Sequence, residues 1–255
     1  MILILLWHIS GKMLPLIPHD FLRIREPLNY INLFITFHVD LFVLITGYFG
    51  IRNRWRHLAN NVLLCTFYVT IMSACRLVAG DRISWREFLP FSMGPWWFMK
   101  CYLILVLISP VIECYLNSHS KLELNILIGI AAFISVYLGW GMHVQLYDNH
   151  GYDIFNFILL YIIGHKLKQI DMEGAKIKST YLIGILLFCC IVRYKVQNFG
   201  YFNWFDYTSP LNILMAICVF CLFLKMDISQ KYSRFILFFS SSVTKVSHPQ
   251  TVGLK

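Results

Sequence analysis

The sequence predicts an all-α, polytopic bundle of transmembrane helices, and three observations carry that expectation. Apolar side chains make up 58% of the 255 residues and charged ones only 14%, a composition that suits lipid as solvent and leaves too little polar surface for water. The apolar residues fall in runs approaching the roughly 20 residues that a helix needs to cross a hydrocarbon core about 30 Å thick. Lysine and arginine collect on alternate connections between those runs, as they do on the cytoplasmic side of membrane proteins.

Seven runs read as complete spans, with boundaries near 31–51, 58–79, 96–116, 123–141, 153–168, 179–196 and 208–226. Partial helices flank them at both termini, "MILILLWHI" at the start and "RFILFFSSSV" at 234–243, and neither is long enough to cross. The basic connections hold Arg52, Arg54 and Arg56; Lys121; Lys166, Lys168, Lys176 and Lys178; and Lys225, Lys231 and Arg234. The opposite set holds Lys12, Arg23, Arg25, Arg82 and Arg86. The first set is expected in the cytoplasm, which sends the first helix outward and places His8 toward its outer end. A cleavable signal peptide is a poor reading, because no basic region precedes the first run and no small-residue cleavage site follows it. The net charge of +9 belongs to these membrane boundaries, and nucleic acid is not expected as a partner. All eight cysteines lie in apolar runs and read as small packing residues, not as a disulfide framework. Cys218 and Cys221 form a CxxC with no second ligand pair, so no metal is expected.

The most unusual stretch is "FITFHVDLFVLITGYFGIRNRWRHL". His38 and Asp40 fall near the middle of an apolar run, where an ionisable group is costly unless it is paired or faces water. Two positions apart is about 200° around a helix, so one of them is expected to line a passage while the other pairs with a neighbouring helix. A structural hydrogen bond between helices is the competing reading for Asp40. Gly47 reads as a close-packing point between helices. Arg52, Arg54 and Arg56 fix topology, and their guanidinium forks also suit the phosphates of a cytosolic cofactor. Pro95, Trp96 and Trp97 open the next long run as an aromatic belt, and Pro110 within it would free a backbone carbonyl and kink the helix. The imidazole of His8 titrates in the range needed to take a proton from an attacking alcohol, although a histidine beside an interfacial tryptophan is also an ordinary boundary residue. G-x-S-x-G, H-E-x-x-H and phosphate-cradling glycine loops are absent from the sequence, against hydrolase, zinc protease and nucleotidase chemistry.

In order along the chain, "LLWHIS", "HVDLFVLITGYF" with its trailing arginines, "PWWFMKCYLILVLISPVI", "FNFILLYIIGHKLK" and "YTSPLNILMAICVFCLFLK" resemble the acyltransferase 3 family of integral membrane acyltransferases. The bacterial polysaccharide O-acetyltransferases are the members most similar in pattern, and the resemblance runs from Met1 to about Val243. It implies transfer of an acyl group, commonly acetyl, from acyl-CoA onto a hydroxyl of a cell-surface polysaccharide or lipid-linked sugar, by a multi-pass protein of the inner (cytoplasmic) membrane. Membrane lipid, acyl-CoA and a glycan acceptor are the implied partners; acetyl-CoA is a donor substrate, and no bound cofactor is implied. His8 matches the family's essential histidine. The arginines at 52, 54 and 56 resemble the family's donor-handling basic residues, although their alternating spacing departs from the usual R-x-x-R. His38 or Asp40 would line the passage between donor and acceptor, and with no covalent nucleophile evident, direct attack is the expected route.

Members of the family carry an arginine upstream of that histidine, and they continue beyond the serine-rich stretch found here near 240–242. The resemblance therefore implies an incomplete domain over 1–243 and a polar tail, 244–255, readable as out of frame. Two other functions stay open at this point: a polysaccharide or lipid-linked sugar transporter using His38 and Asp40 as its path, and an inactive remnant of the acyltransferase.

Overall fold

The computed structural model describes residues 6, 7, 9, 10, 32, 34–81, 84–89, 91, 97–144, 150–170, 178–196 and 205–225. Among them are seven α-helices and no strand: α1 (His38–Phe49), α2 (Arg54–Val78), α3 (Trp97–Ser118), α4 (Lys121–Ala132), α5 (Ile154–Lys168), α6 (Ser179–Val196) and α7 (Pro210–Lys225). A single 3-10 turn, Trp85–Phe88, follows α2, and a π-helical stretch, Phe133–Gly141, extends α4.

The all-helical architecture holds, but the count of seven complete spans does not. Among the described residues four helices are long and apolar enough to cross a membrane: Arg54–Val78, Trp97–Ser118, Lys121–Gly141 and Ser179–Val196. The other three have 12, 15 and 16 residues, and at 1.5 Å per residue they reach only about 18–24 Å. Only α1 is much shorter than its expected run, and local structure shows why. Phe34 and Ile35 are helical, but a turn at Thr36–Phe37 interrupts the expected 31–51 run. His38 Nδ1 lies 2.7 Å from the Ile35 carbonyl beside that break; a carbonyl only accepts, so Nδ1 carries the hydrogen. Asp153 stops α5 from starting earlier, its carboxylate accepting the Asn156 N–H at 2.9 Å as an N-cap. The partial helix expected at 234–243 lies outside the described residues.

Packing sorts the helices by length. α1 lies against α5 and α7, α5 also against α3 and α4, α6 against α7, and α2 against α3. The short α1 and α5 are interior, with Val43, Leu44, Phe157, Leu160 and Tyr161 fully buried. By contrast, α2 turns Leu63 (67% exposed) and Phe67 (58% exposed) outward, a surface that lipid would cover. Backbones touch where α1 crosses α5: a Cβ on Gly47 would stand 2.2 Å from the Tyr161 carbonyl oxygen, and one on Gly164 would stand 2.2 Å from that of Leu44. In α3, the Ser109 hydroxyl donates to the Val106 carbonyl at 2.9 Å, taking the acceptor that Pro110, having no N–H, leaves over.

The antiparallel order gives the bundle two unlike ends. The C-terminal ends of α1, α3 and α5 come together around Arg52, Glu113, His165 and Lys168. Rings of Trp97, Tyr152, Tyr207 and His38 converge at the opposite end.

Candidate functional site

At the aromatic end, buried polar side chains from four elements form one network. His38 and Asp40 lie in the first turn of α1, not at the middle of a long span, and both are buried because neighbours surround that turn on all sides. Asn156 of α5 donates through Nδ2 to Asp40 Oδ1 at 3.5 Å. Arg193 of α6 is 0% exposed. Its Nη1 donates to Asn212 Oδ1 at 2.8 Å, and its guanidinium carbon lies 4.6 Å from the centre of the Phe205 ring. Asn212 is the hub. Its Oδ1 also accepts from Thr36 Oγ1 at 3.2 Å, and its Nδ2 donates to the carbonyls of Phe205 (3.2 Å) and Asp206 (2.7 Å). That completes the bonding capacity of one amide and ties α7 to α6, to the turn before α1 and to the loop at 205–209.

The network is not fully satisfied. Asp40 Oδ2, Asn156 Oδ1 and Ser209 Oγ are buried with no hydrogen-bond partner among the described residues. Each such group costs about 1–3 kcal/mol if it stays unpartnered.

A rim surrounds the network. His150 Nδ1 lies 3.1 Å from both carboxylate oxygens of the buried Asp206, and the Tyr207 N–H donates to the His150 carbonyl at 3.1 Å. Gly151 makes that contact possible: with φ at +79°, a Cβ there would sit 2.6 Å from the Tyr207 side chain. Trp97 stacks on Tyr152 with ring centres 4.2 Å apart, Tyr207 meets His38 edge-on at 6.1 Å, and Trp7 lies 5.3 Å from His38. Burial pushes the Tyr152 phenol above its ordinary value, with the Asp206 charge adding to it. Burial does the same at Tyr207, with Tyr152 adding to it. Both phenols are protonated at neutral pH.

At the basic end the three predicted arginines are exposed and do not share one site. Arg52 lines a cavity of about 220 Å³ with Glu113, Asn117, His165 and Lys168. Arg54 and Arg56 line a separate, larger hollow of about 600 Å³ with Ile51, Asn53 and Trp55. The division arises at Asn53, whose left-handed backbone (φ 49°) turns the chain into α2. The structure thus brings His38 and Asp40 together at one end of α1 and places Arg52, Arg54 and Arg56 beyond the other, about 18 Å away for 12 residues at 1.5 Å each. His8 lies outside the described residues.

Arg193, Asn156 and Asn212 escaped the sequence reading. Their one signal is the presence of an arginine and two asparagines inside apolar runs.

A helical bundle with lipid-suited outer helices, a buried polar network at one end and a basic rim at the other defines an integral membrane protein built around an internal polar site. The acyltransferase domain of the acyltransferase 3 type matches residues 1–245. The chain belongs to that family and is a membrane acyltransferase. No curated protein matches the chain, and no solved structure does.

Proposed function

We propose that the chain is an O-acetyltransferase of the bacterial polysaccharide type, in the inner membrane, moving acetyl from cytosolic acetyl-CoA to a hydroxyl of a cell-surface polysaccharide or lipid-linked sugar. One observation carries this reading: the buried polar side chains of Asp40, Asn156, Arg193 and Asn212 lie at the opposite end of α1 from the exposed arginines. That arrangement suits a donor whose phosphates stay at the basic end while its acyl thioester reaches into the bundle. Arg52, Arg54 and Arg56 hold the phosphates as point charges and forks. Asp40 and His38 line the meeting place of acyl group and acceptor.

In this reading His8 is the general base. The acceptor oxygen attacks the thioester carbonyl carbon as His8 takes its proton; the tetrahedral carbon then expels the CoA thiolate, which recovers that proton. No enzyme-bound acyl group is needed. The test is transfer of radiolabelled acetyl from acetyl-CoA into polysaccharide or lipid-linked sugar in membranes carrying the protein. Changing His8 to Ala is expected to reduce transfer by at least 100-fold, in line with loss of a general base. Full activity in that variant removes His8 from the mechanism. Movement of the sugar with no acyl-CoA consumed points instead to a transporter.

A further inference from the structure

One carboxylate at the basic end has no part in the chemistry above. Glu113 of α3 accepts through the same oxygen, Oε1, from the Ile51 N–H at 3.3 Å and from the Tyr161 hydroxyl of α5. The contact falls where α1 ends: Gly50 has φ +72°, and a Cβ there would lie 3.1 Å from that oxygen. Ile51 is followed directly by Arg52, the left-handed Asn53, Arg54 and Arg56. A single side chain therefore ties the connection that carries Arg52 and leads into Arg54 and Arg56 at the start of α2 to two helices of the bundle. The same turn supplies one wall of the cavity in which Arg52 stands with His165 and Lys168.

We infer that Glu113 is a positioning residue: it holds the arginine-bearing turn in place and so sets the affinity for an anionic acyl donor. The inference rests on the donor reading above. At 3.3 Å the Ile51 N–H to Glu113 bond is a tie of moderate strength, and it acts where the chain passes through Gly50 and Asn53, two residues in left-handed backbone. Glutamine at 113 retains an Oε1 acceptor for both donors, whereas alanine retains none.

Two measurements on the purified protein in detergent test this: the Kd for acetyl-CoA, and the rate of trypsin cleavage after Arg52, Arg54 and Arg56, identified by N-terminal sequencing of the fragments. Glu113→Ala is expected to weaken acetyl-CoA binding at least tenfold and to speed cleavage at least tenfold, while Glu113→Gln stays within about threefold of wild type in both. Tyr161→Phe, which removes only one of the two bonds, is expected to fall between them and stands in if the alanine variant does not fold. Unchanged cleavage in Glu113→Ala overturns the anchor. Faster cleavage with unchanged affinity overturns its role toward the donor. If wild-type protein does not bind acetyl-CoA while the cleavage contrast persists, the donor reading falls and the anchor stands.

Discussion

Asp40 and Arg193 are ionisable side chains buried inside a bundle whose neighbouring side chains are mostly apolar, one bonded to Asn156 and the other to Asn212. Arg193→Met strips Asn212 Oδ1 of its 2.8 Å guanidinium donor and is expected to destabilise the protein by about 1–3 kcal/mol. Adding Asp40→Asn to that variant tests whether the two groups act on each other: a carboxylate stranded by loss of the cation is relieved by asparagine, which restores at least about 1 kcal/mol. Unfolding of the four proteins of this cycle in detergent reads the effect. Strictly additive costs would show that the two charges do not act on each other. His38 and Asp40 were legible in the sequence because ionisable groups stand out inside an apolar run. Arg193 was not, because it lies three residues before the end of α6, where an arginine looks like a boundary charge. Sequence gives depth along a helix; which side the residue turns to its neighbours comes only from the packing.

The helices themselves were largely legible: six of the seven expected runs match an observed helix to within a few residues at each end. The first was not, because an apolar run does not reveal that Thr36–Phe37 forms a turn, a feature that depends on local structure beside His38. The α1–α5 crossing was half visible, as Gly47, while its partner Gly164 was hidden in an otherwise ordinary run. Because each glycine faces backbone on the other helix, Gly47→Ala or Gly164→Ala must push the helices apart and is expected to cost about 2–3 kcal/mol. Gly184 of α6 is the matched control. Nothing lies within 4 Å of a Cβ there, and alanine should add up to about 1 kcal/mol through helix propensity. Equal effects at Gly47 and Gly184 would show that the crossing is not close-packed. Ser109→Ala reports on a subtler feature of the same level: it strips the Val106 carbonyl of its hydroxyl donor beside Pro110. The expected loss is about 1 kcal/mol, and an unchanged melting temperature would rule out a structural role for that bond.

Orientation belongs to the whole molecule, and the functional reading depends on it. The basic connections were assigned to the cytoplasm from charge alone, and the fold shows Arg52 and Lys168 lining one cavity at one end of the bundle. The excess of positive charge at that end resists translocation as a unit. Reporter fusions separate the two possible orientations. Alkaline phosphatase, which is active only outside the cytoplasm, should be active when joined after Gly80 or Met142 and inactive after Ser118 or Gln169; green fluorescent protein should give the reverse pattern. These sites follow α2, the π-helical extension of α4, α3 and α5 in turn, so each reports one crossing of the bundle. The inverse result would put Arg52, Arg54 and Arg56 outside. Acetyl-CoA is cytosolic, so the proposed function would then leave those arginines no donor to hold, and the buried polar network around Asn212 would lie at the cytoplasmic end. The expected pattern is the one the proposed function requires, with the proposed donor at the basic end, the proposed acceptor at the aromatic end and α1 running between them.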